Sequence, residues 1–93
     1  MNPNLPRDLL DVLGDMNSTR ELRAVLLDLL TPSEVEALSE RWAIVKLLDQ
    51  GHSQRDIAQK LGASVTTVSR GSRQMKYGHG GFAKALQRLQ EGK

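Results

Sequence analysis

Residues 53–75, SQRDIAQKLGASVTTVSRGSRQM, constrain this chain more than any other stretch. They read as two short helices joined by a tight turn. Ser53 is placed to cap the first, and Asp56 follows three residues on, where a carboxylate favours a helix N-terminus. Ile57, Ala58 and Leu61 fall on one face of that helix. Gly62 comes next, where a left-handed residue ends a helix. Ser64 is placed to cap the second helix, and such a cap contributes about 1 kcal/mol. Val65, Val68 and Ser72 are expected to face back toward the first helix. Thr66, Ser69, Arg70 and Arg73 lie on another side, polar near the N-terminus and cationic toward the C-terminus.

Two such helices cross steeply, and the second can lie in a DNA major groove. Small side chains at its start allow close approach to base edges. Ala58 is small where the helices must approach, and Gly62 is free to take positive φ. An ordinary αα-hairpin in a helical bundle shares the apolar spacing. The basic outer face favours a helix-turn-helix over residues 53–76.

Charge is divided along the chain. Residues 1–40 hold three arginines against eight acids, a net of −5, and residues 41–93 hold ten lysines and arginines against three acids, a net of +7. The basic part contains the helix-turn-helix, which suggests a polyanion partner for it. A solvated basic surface has the same composition.

Ninety-three residues are expected to form one small domain, and chains this short are often supported by oligomerisation. With no cysteine there is neither a disulfide framework nor a thiolate metal site. His52 and His79 sit near glycines and are read as loop residues rather than metal ligands. No apolar run approaches the roughly 18 residues of a membrane span, and no signal peptide is seen, so a cytoplasmic location is expected.

Before the helix-turn-helix the pattern is helical throughout. Residues 1–5 are expected to fray. Pro6 suits a first turn, Leu9, Leu10 and Leu13 offer an apolar face, and Gly14 is the expected stop. Ser18 and Glu21 make a capping-box signature for a second helix, along which Leu22, Val25, Leu26, Leu29 and Leu30 share a face that Leu27 widens. That helix is too apolar for a lone monomer surface and is either deeply buried or packed on another subunit. Thr31, Pro32 and Glu34 mark the clearest helix start, with Gly51 as the stop after Gln50. Val35, Leu38, Trp42, Val45 and Leu48 follow a helical spacing, broadened by Ala37, Ile44 and Leu47. Trp42 reads as a core or interface anchor. Beyond Lys76, glycines end the recognition helix, and Phe82, Leu86 and Leu89 line a terminal one with Ala85 nearby.

From LTPSEVEAL through Arg41, Ile44-Val45, Gly51-His52-Ser53-Gln54-Arg55, Leu61-Gly62-Ala63 and Thr67-Val68-Ser69-Arg70-Gly71-Ser72, the sequence resembles the bacterial tryptophan-repressor superfamily. The segment MKYGHGGF is similar to the YerC-type branch. The resemblance implies an all-α, intertwined homodimer built on helices that interlock between subunits. It also implies an effector site for L-tryptophan. Arg41 would cover one face of the indole, Arg70 the other side and the carboxylate, and Thr31 would help hold the carboxylate. Gly71 would leave room for the ring, and backbone carbonyls near Asp28 and Leu30 would meet the amino group. The chain departs from the family at Asp28, where an apolar residue is usual, and at Gln74, where a small hydroxyl would hold the ammonium. Two ordinary surface arginines remain the other reading of Arg41 and Arg70.

The leading function is therefore a dimeric, sequence-specific DNA-binding repressor, with or without a small amino-acid effector. Arg55, Val65, Thr66 and Ser69 are the expected base readers; Ser53, Gln54 and Ser64 are the expected phosphate donors, and Arg73 adds charge on the same face. Thr31, Arg41, Arg70, Gly71 and Gln74 would form the effector site. A dimeric protein-interaction adaptor would need an acidic or apolar outer face on the second helix, which this sequence lacks. An enzyme is the least favoured class, with no cysteine, no clustered histidines and carboxylates, and no nucleotide loop. No cofactor or metal is expected.

Overall fold

The computed structural model describes residues 4–92. The chain forms α1 (Arg7–Asp15), α2 (Thr19–Leu29), α3 (Pro32–Asp49), α4 (Gln54–Leu61), α5 (Val65–Tyr77) and α6 (Gly81–Glu91), with no strand among the described residues. The all-α expectation is met. Two compact units are resolved, one ending at Val35 and one beginning at Glu36.

The first unit holds α1, α2 and the start of α3. Pro6 stands at the N-cap of α1, one residue before the helix rather than inside its first turn. Gly14 does not end α1, which continues to Asp15. A glycine stops a helix by taking positive φ, and Gly14 does not. Residues 1–3 of the expected frayed end lie outside the described residues. Ser18 caps α2 by accepting the Glu21 N–H at 3.4 Å. The start of α3 is a reciprocal box: the Thr31 hydroxyl accepts the Glu34 N–H at 3.2 Å, and the Glu34 carboxylate accepts the Thr31 N–H at 2.8 Å. Hydrogen bonding from Thr31, its backbone N–H first and its side chain second, holds the Glu34 carboxyl below its ordinary range. None of α2 is buried within the single chain, and Leu27 and Leu29 are exposed.

The second unit holds the core. Ile44 of α3, Ile57 and Ala58 of α4 and Val68 of α5 are buried together, with Leu47, Leu48, Leu61 and Ala63 packed around them. Full burial of an isoleucine or valine side chain such as Ile44, Ile57 or Val68 stabilises by about 1.5–3 kcal/mol. Val45 and Leu86 are buried as well. Leu38 and Leu89, expected on packed faces, are exposed instead, and Trp42 is only half-buried. The helix ends carry the chain from α3 into α4. Gly51 takes φ +93°, Gly51 N–H donates to the Leu48 carbonyl at 3.0 Å, and His52 N–H donates to the Leu47 carbonyl at 3.1 Å. That paired pattern satisfies the last carbonyls of α3 and turns the chain sharply. At the far end, Gln90 of α6 donates to the Asp49 carboxylate of α3 at 3.3 Å.

Candidate nucleic-acid interface

The α4–α5 pair is set by three local devices. Ser53 accepts the Asp56 N–H at 3.1 Å and starts α4. Gly62 takes φ +66°, and Ala63 N–H closes back on the Ala58 carbonyl at 3.0 Å. Ser64 then accepts the Thr67 N–H at 3.1 Å and shares a 2.8 Å hydroxyl–hydroxyl bond with Thr67. Only three residues, 62–64, separate the helices, the connection length of a helix-turn-helix, and Val68 of α5 is buried with Ile57 and Ala58 of α4.

The outer face of α5 is open. Thr66, Arg70 and Arg73 are exposed, and Ser69 is half-buried. Val65 is 51% exposed and does not pack on α4 as its spacing suggests. A helical side chain leans over the turn N-terminal to its own Cα. At the first position of α5 that turn is the 62–64 connection, so Val65 covers no part of the core. The exposure suits its other expected role, contact with a base. Ser72 is half-buried, as its inward spacing predicts.

On α4, Arg55 is exposed and Gln54 is half-buried. The Ser69 hydroxyl donates to the Gln54 carboxamide oxygen at 2.7 Å, a bond that joins the two helices. Nothing in the local sequence signals this bond. Beyond Arg73, Tyr77 ends the same stripe of α5 and is 81% exposed. It lines a shallow cleft of about 520 Å³ with Thr66, Ser69, Arg70, Arg73 and Gln74. Its spacing of four from Arg73 was the available signal, and the sequence reading did not use it.

A second concavity, of about 510 Å³, lies between α3 and α5, with Phe82 of α6 at its edge. Arg41, Arg70, Gly71 and Gln74 all line it, so four of the five expected effector residues come together. Thr31 belongs to the other unit, and its hydroxyl serves the start of α3. Ala37, Ile44, Val45 and Phe82 supply apolar wall, and Glu40 adds a carboxylate that the sequence reading missed although it adjoins Arg41. Gly71 sits where α5 comes down on α3: a Cβ there would lie 2.9 Å from the Ile44 Cγ2. Its missing side chain permits that approach whether or not a ring occupies the cavity. Among the described residues, no group of three His, Cys, Asp or Glu is placed to hold a metal.

The sequence pattern of Trp repressor protein matches residues 7–90. The chain belongs to the Trp repressor family. It is 40% identical over 65 residues to a Trp operon repressor homolog of Xylella fastidiosa (strain 9a5c), covering 69% of this chain and 71% of that protein. A Trp operon repressor homolog of Vibrio vulnificus (strain CMCP6) is 34% identical over 87 residues, 92% of this chain and 85% of that one. YerC of Bacillus subtilis (strain 168), an uncharacterized protein, is 34% identical over 64 residues, 69% of this chain and 62% of its own. This Trp repressor family member is accordingly a DNA-binding transcription regulator. The match to both kinds of relative accords with the mixed resemblance of the sequence. No helix among the described residues is long and apolar enough to cross a membrane.

Proposed function

We propose that the protein is a sequence-specific repressor that acts as an intertwined homodimer, occupying an operator and blocking transcription initiation. The observation that carries this is the capped α4–α5 pair with its open, polar-to-basic outer face. In this reading Arg55, Val65 and Thr66 face the bases, with Ser69 on the same stripe of α5. Ser53, Gln54, Ser64 and the amides at the two helix starts hold phosphates. Ser53 suits that task, because its oxygen accepts the Asp56 N–H and its own proton stays available to donate. Two copies would present their α5 helices to successive major grooves, about 34 Å apart. The exposed Thr66, Arg70 and Arg73 argue against the adaptor reading, which needs an acidic or apolar face there.

The cavity between α3 and α5 is the proposed effector site. Arg41 and Arg70 would hold a carboxylate, and Ala37, Ile44 and Phe82 would cover an apolar side chain. Gln74 and Asp28, the two departures at the ammonium end, weigh toward a weakened or altered response to L-tryptophan, or regulation with no effector. Gln74 is longer than the small hydroxyl that the family resemblance places at the ammonium end. An effector shifts the balance of α5 orientations only by its preference for one of them.

Selection of an operator from a random duplex library, followed by titration with and without L-tryptophan, tests both layers. A selected site bound far more tightly than random duplex is expected, with little change on adding L-tryptophan. Marked tightening by L-tryptophan, abolished in Arg70→Ala, would establish ordinary corepression instead. Equal affinity for all duplexes would refute the sequence-specific repressor.

A further inference from the structure

Gln54 and Ser69 lie fifteen residues apart, one at the first position of α4 and the other in the second turn of α5. We infer that Ser69 acts on DNA through Gln54: its hydroxyl positions the Gln54 carboxamide and does not itself read a base. The inference rests on the DNA-binding reading of this face and assigns the division of labour within it.

A serine hydroxyl has one proton. Here that proton is directed at the Gln54 carboxamide oxygen, at 2.7 Å, in a part-buried setting. Ser69 is half-buried where Thr66 and Arg70 beside it are exposed, so it is the least accessible member of the stripe. A glutamine at a helix start has three side-chain torsions, and fixing them on binding costs affinity unless they are fixed beforehand. The bond to Ser69 does that in advance. With its oxygen anchored on α5, the carboxamide nitrogen keeps both protons for an acceptor in front of α4. The acceptor that suits it is a phosphate oxygen, at the helix end where amide N–H groups and the positive dipole terminus already gather.

The test compares Ser69→Ala, Gln54→Ala, the double variant and Ser69→Thr in the full chain, on a selected operator and on random duplex. Thermal unfolding is measured for each protein. A positioning role predicts that each alanine variant weakens operator and random duplex alike, by about three- to tenfold. The double variant is then no weaker than either single, and Ser69→Thr, which keeps the hydroxyl, stays near wild type at the same base preference. Loss of preference at one base pair in Ser69→Ala, with random duplex unaffected, would overturn the inference. So would losses that multiply in the double variant. If Ser69→Ala unfolds, Ser69→Thr decides alone: a changed base preference means that Ser69 reads a base, and an unchanged one that it positions. Wild-type protein that binds no duplex overturns the DNA reading itself, an outcome distinct from the others.

Discussion

Gly71 shows what one missing side chain does in this unit. A methyl group there would press on the Ile44 Cγ2 at 2.9 Å, and Ile44 is a buried core residue. Gly71→Ala is expected to destabilise the protein by about 1–3 kcal/mol through overpacking, read as a lower urea midpoint. It should also weaken operator binding, because α5 would be pushed off α3. Arg55 gives a cleaner functional prediction, being exposed and outside the core. If it contacts a guanine edge with two bonds, Arg55→Ala costs about 1–3 kcal/mol and relaxes preference at one base per half-site. Equal loss on operator and random duplex would make it a phosphate contact instead. At this scale the sequence was readable where chemistry is local. Ser53 and Ser64 cap as their spacing requires, because a cap bonds three residues along its own chain. Val65 misled, because periodicity alone does not say how far the packed part of a helix extends. The Gln54–Ser69 bond and the place of Glu40 in the cavity depend on tertiary geometry, and no sequence pattern carries them.

Helix ends make this fold legible, and they also make part of it sensitive to pH. The carboxylate of Glu34 accepts the Thr31 N–H and completes the start of α3. Its folded value is lowered from an ordinary 4.5, so the ionised form is the one the fold favours. The contribution is therefore fully present above about 4.5 and is lost as pH falls through the lowered folded value. Unfolding midpoints measured from neutral pH downward should show a step for wild type that is reduced in Glu34→Gln. Identical profiles would show that the box has no proton-linked role. Glycine as a helix stop was read correctly at Gly51 and Gly62, both at positive φ, and incorrectly at Gly14. The difference lies in the neighbouring chain on the C-terminal side. After Gly51 and Gly62 the chain must turn into a new capped helix, whereas Asp15 still continues α1.

The molecule as a whole carries more apolar surface than one chain covers. None of α1 or α2 is buried, and Leu10, Val12, Leu27, Leu29 and Leu38 are all exposed. Leu27 and Leu29 on α2 and Leu38 on α3 are apolar side chains that an interaction surface would cover. Leu27, Leu29 and Leu38 lie within residues 18–48, the helices that the family resemblance implies interlock between subunits, and one chain leaves them uncovered. A second copy of the chain is the partner that a symmetric operator also requires, with each copy supplying one α5. Dimerisation through 18–48 is therefore expected to be obligate, with folding and association inseparable and unfolding midpoints that rise with protein concentration. Leu29→Glu, which places a charge on that face without touching the Ile44–Ile57–Val68 core, should dissociate the dimer and abolish operator binding together. Sedimentation equilibrium of the wild type at micromolar concentration decides the matter: a folded monomer there would sink the dimer and, with it, the assignment of 18–48 as its interface.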